Sequence, residues 1–444
     1  MAQTVRQQSP LNTEPNSKEL AGSYITPNEL IFNRNHDSVI STNAPNSGGS
    51  GWMLGISVEQ DETLKVLHVS QPSLPLESLK KDYELVEVTA TLECAGNRRA
   101  ELSASHQPAE GIQWGNAVIA NVVWGGASLR SVLLAAGIPD PFSHHSQLSI
   151  LQPSADASLR DSESWARPLH LHLFSAQESS ESDDPTRTEY FAASIPFVTA
   201  MHPNQHCLLA HEYNRTPLTQ RHGAPLRAVI PGHVGARWVK WLNALKISTS
   251  ENDSPPMRQD YKLLTPDAQA DEKEFADKAG KDAEFRKERL KKEKPLQRLE
   301  ASCSITQPGQ GERVVPAGED GVVEVKGYAV GQDGSPATHV YVALVPDRDG
   351  TTDELLTSLE PDVEWKQAQL INRDASSNAA PSTWSWAWTL WHVQMPVPES
   401  DRKWALVARC VTASGVEQEK ISEWNLRGFC NRSWSVVRNL SVQS

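Results

Sequence analysis

Residues 267–294 carry nine acidic and nine basic side chains, and the large apolar residues among them are Phe275, Phe285 and Leu290. Opposite charges interspersed at helical spacing stabilise an exposed helix and cannot form a hydrophobic core. We therefore expect a charged linker or helix over residues 266–300 that separates two domains. The length of 444 residues agrees with this division, because a single core rarely grows beyond about 250–300 residues.

The sequence differs in pattern on the two sides of this linker. Residues 29–265 mix β-type runs, such as residues 85–92, with helical stretches such as residues 128–136, which predicts an α+β domain. Residues 301–444 contain short β-type runs separated by Gly, Pro and Asp turns, which is typical of an all-β sandwich. Residues 1–28 are rich in Ser, Asn, Gln and Pro, and we expect a disordered tail there.

The overall charge limits the partners that the chain can bind. Its 42 basic and 55 acidic residues give a net charge of −13, which repels nucleic acid and anionic lipid. The sequence has no apolar run of the roughly 18 residues that would span a bilayer. We expect binding to neither nucleic acid nor membrane. Without a recognisable targeting signal, cytoplasm is the default compartment, and mitochondrial or peroxisomal residence stays open.

The segment that points most clearly to chemistry begins at Cys94, which ends a β-type run and precedes Ala-Gly-Asn-Arg-Arg. Neighbouring cations favour the reactive thiolate, so Cys94 beside Arg98 and Arg99 is a candidate nucleophile or soft metal ligand. A buried cysteine that only packs is the alternative, and spacing alone favours it. The five cysteines include no C-x-x-C pair, so we predict neither a disulfide framework nor a structural zinc site.

Six ordered segments resemble the sulfite oxidase family of molybdenum enzymes. The Cys-Ala-Gly-Asn-Arg-Arg segment at residues 94–99 resembles the family's hallmark, and the others are Asn-Arg-Asn-His at 33–36, Gly-Ile-Gln-Trp at 111–114, the pterin-binding stretch at 222–242, Gln-Asp-Tyr-Lys at 259–262 and Trp-Asn-Leu-Arg-Gly at 424–428. The resemblance runs from about residue 30 to the C-terminus. It implies an α+β molybdopterin-binding domain followed by an all-β, immunoglobulin-like domain that forms a homodimer.

The resemblance also implies roles for individual residues. Cys94 would be the protein's sulfur ligand to molybdenum, a soft metal that a thiolate suits. The residues expected to act on the substrate, with Cys94, are Arg34, Arg99, Trp114, Tyr261 and Arg427. The residues expected to bind the cofactor are Phe32, Asn33, Arg34, Asn35, His36, Cys94, Asp183, His222, Arg227, Trp238, Val239 and Lys240.

The implied activity is a step of sulfur metabolism, the oxidation of sulfite to sulfate with a molybdenum–molybdopterin cofactor. Arginine forks suit the small oxyanion, because they offer paired donors that are always charged. The sequence contains no cytochrome b5-like His-Pro-Gly-Gly, no C-x-x-C-H and no G-x-G-x-x-G segment. We therefore expect no haem, flavin or nicotinamide, and an external electron acceptor, either oxygen or an unidentified redox protein.

Two features of the sequence bear on alternatives to this activity. Glu110 stands where the vertebrate pattern has a lysine, which removes a positive charge from the approach to the pocket. A nitrate-reducing relative is the closest alternative enzyme, but Arg427 stands where such enzymes typically have methionine. A non-catalytic, dimeric binding protein on the same fold is the other alternative.

Overall fold

The computed structural model describes residues 3–40, 51–143, 163–180, 188–268, 270–315, 321–371, 385–396 and 403–442. Across these residues the chain forms two β-rich domains joined by a pair of charged helices. No helix within the described ranges has the length and apolar character needed to cross a membrane.

The N-terminal domain contains a hairpin followed by two sheets. Its strands are β1 (Thr4–Gln7), β2 (Asn12–Glu14), β3 (Met53–Val58), β4 (Ser73–Pro75), β5 (Val86–Glu93), β6 (Ile119–Ser128), β7 (His170–Glu178), β8 (Tyr190–Pro196), β9 (Leu208–Tyr213), β10 (Thr216–Pro217), β11 (Arg227–Val229) and β12 (Leu242–Ser248). One sheet has the order β10-β9-β6-β5, with β11 also paired to β9, and the other has the order β4-β3-β12-β7-β8. Both sheets contribute side chains to one large hydrophobic core.

Short helices connect and cover these strands, namely α1 (Ser17–Leu20), α2 (Leu76–Asp82), α3 (Arg99–Ser105), α4 (Leu129–Ala135) and α5 (Phe197–Met201). The α4 helix begins at the predicted place because the Ser128 side chain accepts a hydrogen bond from the Ser131 amide. The mixture of sheets and helices confirms the predicted α+β architecture.

The C-terminal domain is a sandwich of two sheets. Its strands are β13 (Ser302–Gln307), β14 (Arg313–Val314), β15 (Val322–Val330), β16 (Ala337–Pro346), β17 (Lys366–Gln367), β18 (Gln369–Ile371), β19 (Thr389–Pro396), β20 (Trp404–Thr412) and β21 (Ser435–Val442). The sheet orders are β13-β15-β19-β18 and β14-β21-β20-β16-β17. Apolar side chains from both sheets, including Val325, Trp391 and Leu406, fill the space between them. One short helix, α8 (Thr352–Thr357), follows β16.

The charged stretch between the domains forms two consecutive helices, α6 (Glu272–Lys281) and α7 (Ala283–Lys292). Asp271 and Asp282 cap them, each accepting a hydrogen bond from an amide in the first turn. The pair is more than an exposed spacer, because the few apolar side chains of this stretch are used for docking. Phe275 and Leu290 are buried in a cluster with Trp424 and other residues of the two domains.

The first 28 residues are not the disordered tail that their composition predicts. From residue 3 onward they form a hairpin and a helix that pack against both domains. Leu20 is fully buried, in a cluster that includes Tyr328 and Trp388 of the C-terminal domain. The Trp388 indole also donates a hydrogen bond of 2.9 Å to the Tyr24 carbonyl. The composition misleads because this segment completes a core built by other parts of the chain and needs none of its own.

Buried polar contacts join the two domains beside the turn that follows β5. Arg98 is almost fully buried, and its guanidinium donates to the Ser433 carbonyl at 2.8 Å. The Asn97 side-chain amide donates to the Tyr328 hydroxyl at 3.0 Å, and that hydroxyl donates to the Asn116 carbonyl at 2.8 Å. The segment that carries Cys94 is therefore also a contact surface between the domains.

His106 provides an ionic contact among three elements at the same boundary. Its Nδ1 lies 2.8 Å from Glu272 of α6, and its Nε2 lies 2.8 Å from Asp353 of α8. The hydrogen bond with Asp353 is the largest cause of a raised His106 pKa. A raised pKa in the folded state stabilises the fold below the unfolded pKa of about 6.5, and this contribution disappears as the pH rises through the folded value.

We predict that His106→Gln lowers the free energy of unfolding by about 1 kcal/mol near pH 6, and by less above the raised pKa. Urea unfolding of the variant and the parent chain at several pH values measures this difference. His339→Gln is the matched control, since that ring stacks on Tyr341 at the surface of β16. A gap between parent and His106 variant that stays constant with pH would contradict the ionic role.

Candidate active site

Two adjoining chambers meet at Cys94. The first has a volume of about 700 Å³, including space open to solvent, and its lining includes Phe32, Gln177, Phe191, Arg221, His222, Arg227, Trp238 and Lys240. The second, of about 820 Å³, is lined on its own side by Gln7, Arg99, Glu110, Gly111, Ile112, Trp114, Asp260, Arg427 and Phe429. Both are lined by Arg34, His36, Cys94 and Tyr261.

Cys94 is placed by a tight turn at the end of β5. Its amide donates to the Val118 carbonyl at 3.0 Å, and its own carbonyl accepts from the Asn97 amide at 2.9 Å. A Cβ at Gly96 would lie 2.8 Å from the Arg99 guanidinium, so a larger residue there would displace the Arg99 side chain. The turn therefore fixes a thiol, 7% exposed, in the wall that the chambers share.

The first chamber contains buried cations without carboxylate partners among the described residues. Burial lowers the pKa of Arg227 to about 9, and its guanidinium donates to the His222 and Trp238 carbonyls at 3.0 and 3.2 Å. Its Nε is buried without a partner. Burial, with the charges of Arg227 and Arg34, lowers the pKa of Lys240. Uncompensated buried cations are costly, which suits an anionic group that fills the chamber.

His222 is held in this chamber as a neutral ring. Burial, with the charges of Arg227 and Lys240, lowers its pKa to about 3. Its Nδ1 lies 2.8 Å from the Thr219 hydroxyl, and its Nε2 lies 3.3 Å from the Phe32 carbonyl. A neutral imidazole offers hydrogen bonds without adding to the positive charge around it.

The second chamber gathers three arginines around Tyr261. Arg99 is oriented by hydrogen bonds to the Arg427 and Ile112 carbonyls at 2.8 and 2.7 Å. Burial, with the charges of Arg34 and Arg427, lowers the pKa of Arg99 to about 10. Burial raises the pKa of Tyr261, so its hydroxyl stays protonated at neutral pH.

The Arg427 guanidinium has hydrogen-bond donors that its protein contacts do not fully satisfy. One terminal nitrogen donates to the Gln259 carbonyl at 3.3 Å, and the other lies 3.8 Å from the Glu110 carboxylate. Nε is buried and has no partner among the residues that the structure describes. A guanidinium with weak contacts and an unsatisfied donor is suited to binding an anion. The second chamber can therefore hold a small oxyanion beside the Cys94 thiol.

The structure brings most of the predicted site residues to these chambers, but not all of them. Asn33 is turned toward the N-terminal segment, where its side-chain amide donates to the Thr13 hydroxyl at 2.8 Å. Val239 is buried in the core, and its carbonyl accepts from the Ala228 amide. Asn35 is buried and lines neither chamber, but its side-chain oxygen accepts a hydrogen bond from Lys240, which lines the first chamber. Asp183 lies outside the described residues.

The N-terminal segment also belongs to the site, which the sequence did not predict. The Asn12 side chain accepts from the Asn35 amide at 2.9 Å and donates to the Asn35 carbonyl at 3.1 Å. The buried Glu14 carboxylate accepts from the Gly115 amide at 3.0 Å, next to Trp114. Nothing in the spacing of these residues points to the site, because their partners lie more than 20 residues away. Asn12 and Glu14 accept hydrogen bonds from the amides of Asn35 and Gly115, and they thereby position both walls of the second chamber.

The residues present fit an anionic, metal-containing cofactor. Arg227 supplies buried positive charge, the partly buried Lys240 adds to it, and Cys94 supplies a soft donor at the edge of the same chamber. Over the described ranges no group of three or more His, Cys, Asp or Glu side chains could bind a metal ion by itself. A single thiol next to a chamber lined by cations would suit a metal whose remaining ligands come from an anionic cofactor.

Comparisons with known proteins agree with this site. Residues 54–256 match the oxidoreductase molybdopterin binding domain, and residues 293–440 match the Mo-co oxidoreductase dimerisation domain, which supports a homodimer. The sulfite oxidase of Gallus gallus is 33% identical over 97% of this chain and 76% of that protein. The sulfite oxidase of Arabidopsis thaliana is 30% identical over 98% and 92%.

More distant relatives extend the comparison. Nitrate reductase [NADH] 1 of Oryza sativa subsp. japonica is 28% identical over 97% of this chain and 40% of that protein. The crystal structure of the sulfane dehydrogenase SoxCD from Paracoccus pantotrophus superposes with a TM-score of 0.63 at 20% identity, over 97% of this chain and 84% of that one, which bears on the fold alone. By its two domain matches and its near-full-length similarity to sulfite oxidases, the chain belongs to the sulfite oxidase family of molybdopterin-binding oxidoreductases.

Proposed function

We propose that the chain oxidises sulfite to sulfate and passes the electrons to an external acceptor, which is oxygen or a redox protein. The observation that carries this proposal is the place of Cys94, between a chamber of buried cations and a chamber lined by three arginines. The molybdenum–molybdopterin cofactor, when bound in the first chamber, supplies oxygen-atom transfer and two-electron redox chemistry.

In the first chamber, the chain's task is to hold the cofactor. Arg227 and Lys240 would pair with its anionic group and so relieve the cost of their own burial. His222, as a neutral ring, would hydrogen-bond to it, and Trp238 would pack against it. Cys94 would supply the protein's sulfur ligand, since a thiolate is a soft donor.

In the second chamber, the chain's task is to bind and orient the substrate. Arg34, Arg99 and Arg427 would bind the oxyanion, and each charge-assisted hydrogen bond is worth about 1.5–3 kcal/mol. The protonated Tyr261 hydroxyl would donate a hydrogen bond to it, and Trp114 would exclude water. Sulfite carries up to two negative charges and nitrate carries one, so three converging arginines favour sulfite.

We predict that Cys94→Ser leaves a folded protein but lowers turnover by more than about 100-fold, because a hydroxyl is a poor donor to a soft metal. Molybdenum analysis and steady-state turnover measure the loss. Cys207→Ser is the matched control, since that thiol lines neither chamber and its hydrogen bond to the Thr199 carbonyl can be kept by serine. Unchanged turnover would remove Cys94 from the ligand role.

We predict that Arg427→Met raises the KM for sulfite by roughly 10- to 100-fold, with a smaller change in kcat and little change in the unfolding midpoint. The exposed Arg215, paired with Glu87 outside both chambers, gives the matched control Arg215→Met. Steady-state kinetics with sulfite and an external electron acceptor, and separately with nitrate and an external reductant, measure the effect. Turnover of nitrate but not sulfite by the parent enzyme would establish the nitrate-reducing alternative.

A further inference from the structure

The second chamber is lined by one glutamate, Glu110, as well as by its three arginines. The two oxygens of Glu110 accept hydrogen bonds from the two terminal nitrogens of Arg286 at 2.8 and 2.7 Å. The same carboxylate lies 3.8 Å from the Arg427 guanidinium. The hydrogen bonds from Arg286 hold the pKa of Glu110 below its usual value, so the group is ionised at neutral pH. The three side chains form a row of alternating charge that ends in the chamber.

The geometry of this row is fixed by packing on both sides of Arg427. The Glu110 amide donates to the Leu426 carbonyl at 2.7 Å, which ties Glu110 to the segment that carries Arg427. Leu426 and Trp424 are buried against α6 and α7, and α7 carries Arg286. The charged helices therefore bring a cation from outside both sheet domains to the Glu110 carboxylate, which lines the chamber.

The two contacts of Glu110 differ in strength. A bidentate, charge-assisted pair such as Glu110–Arg286 is much stronger than a 3.8 Å contact such as Glu110–Arg427. The carboxylate is thus held on Arg286, and Arg427 keeps donors for another anion. If Arg286 were absent, the nearest cation to Glu110 would be Arg427 itself.

We propose that Glu110 and Arg286 together determine how strongly the second chamber binds anions and which anions it prefers. Arg286 is a positioning residue that holds the Glu110 carboxylate away from Arg427. Glu110 is a specificity-determining residue, because its charge repels a divalent oxyanion about twice as strongly as a monovalent one. The inference rests on the proposed function only in taking an oxyanion as the substrate.

The two substitutions should act in opposite directions. Glu110→Gln removes the repulsive charge and keeps the shape, so sulfate should bind about threefold to tenfold more tightly, and nitrate by a smaller factor. Arg286→Met leaves the carboxylate to pair with Arg427, so sulfate binding should weaken about threefold to tenfold. In combination with Glu110→Gln, the effect of Arg286→Met should largely disappear, because Arg286 acts through Glu110.

Isothermal titration calorimetry tests this with sulfate and nitrate added to the cofactor-loaded protein at constant ionic strength, and the KM for sulfite provides a second measurement. Arg289→Met is the matched control, since Arg289 lies on the same helix, pairs with Asp267 and lines neither chamber. This variant should bind sulfate as the parent does. If Arg286→Met destabilises α7, the single variant Glu110→Gln still tests the proposal.

Two results would overturn the inference. One is sulfate binding that Glu110→Gln leaves unchanged. The other is a loss of sulfate affinity on Arg286→Met that is equally large with and without Glu110, which would make Arg286 an independent cation. Failure of the parent enzyme to oxidise sulfite would defeat the proposed function instead, and the comparison of sulfate affinities would still decide the role of Glu110.

Discussion

The turn after β5 is the constraint on which the other parts of the molecule depend, because its two consecutive arginines face opposite ways. Arg98 is buried toward the C-terminal domain, where it donates to the Ser433 carbonyl. Arg99 faces the second chamber and is tied to the Arg427 carbonyl. A left-handed conformation at Arg98, with φ of 64°, separates the two directions. The thiol, the domain contact and the second chamber are thus fixed by a few adjacent residues.

The chain carries a net charge of −13 and yet concentrates cations around the two chambers. Arg227 is buried and Lys240 is partly buried, and neither has a carboxylate partner in the part of the chain that the structure describes, so their field is little screened. The second chamber differs, because the Glu110 carboxylate lies among its arginines and offsets part of their positive charge. On the proposed function, the first arrangement would favour long retention of a bound cofactor, and the second would favour an anion that must also leave.

Local pattern was enough to predict part of this structure. The β-type run before Cys94 is β5, and the helical stretch after Ser128 is α4, because both carry clear periodicity. The motif residues could be assigned to one site only through family resemblance, since spacing alone favoured a packing role for Cys94. Glu110 was recognised as a lost positive charge, but its partner Arg286 lies 176 residues away and carries no local signal. Contacts between residues so far apart in sequence depend on how the folded domains pack against each other.

The N-terminal segment shows how far such contacts reach along the chain. The carbonyl of Tyr24 is bonded by an indole 364 residues later, and Leu20 packs in the same cluster. A ribosome that adds about 5–20 residues per second needs roughly 20–70 s to cover that distance. The Trp388 indole therefore reaches this carbonyl only after most of the chain has emerged, whereas the Asn121 side chain, which donates to the same carbonyl at 3.0 Å, is available much earlier. The polar composition of this segment leaves little apolar surface exposed during that interval.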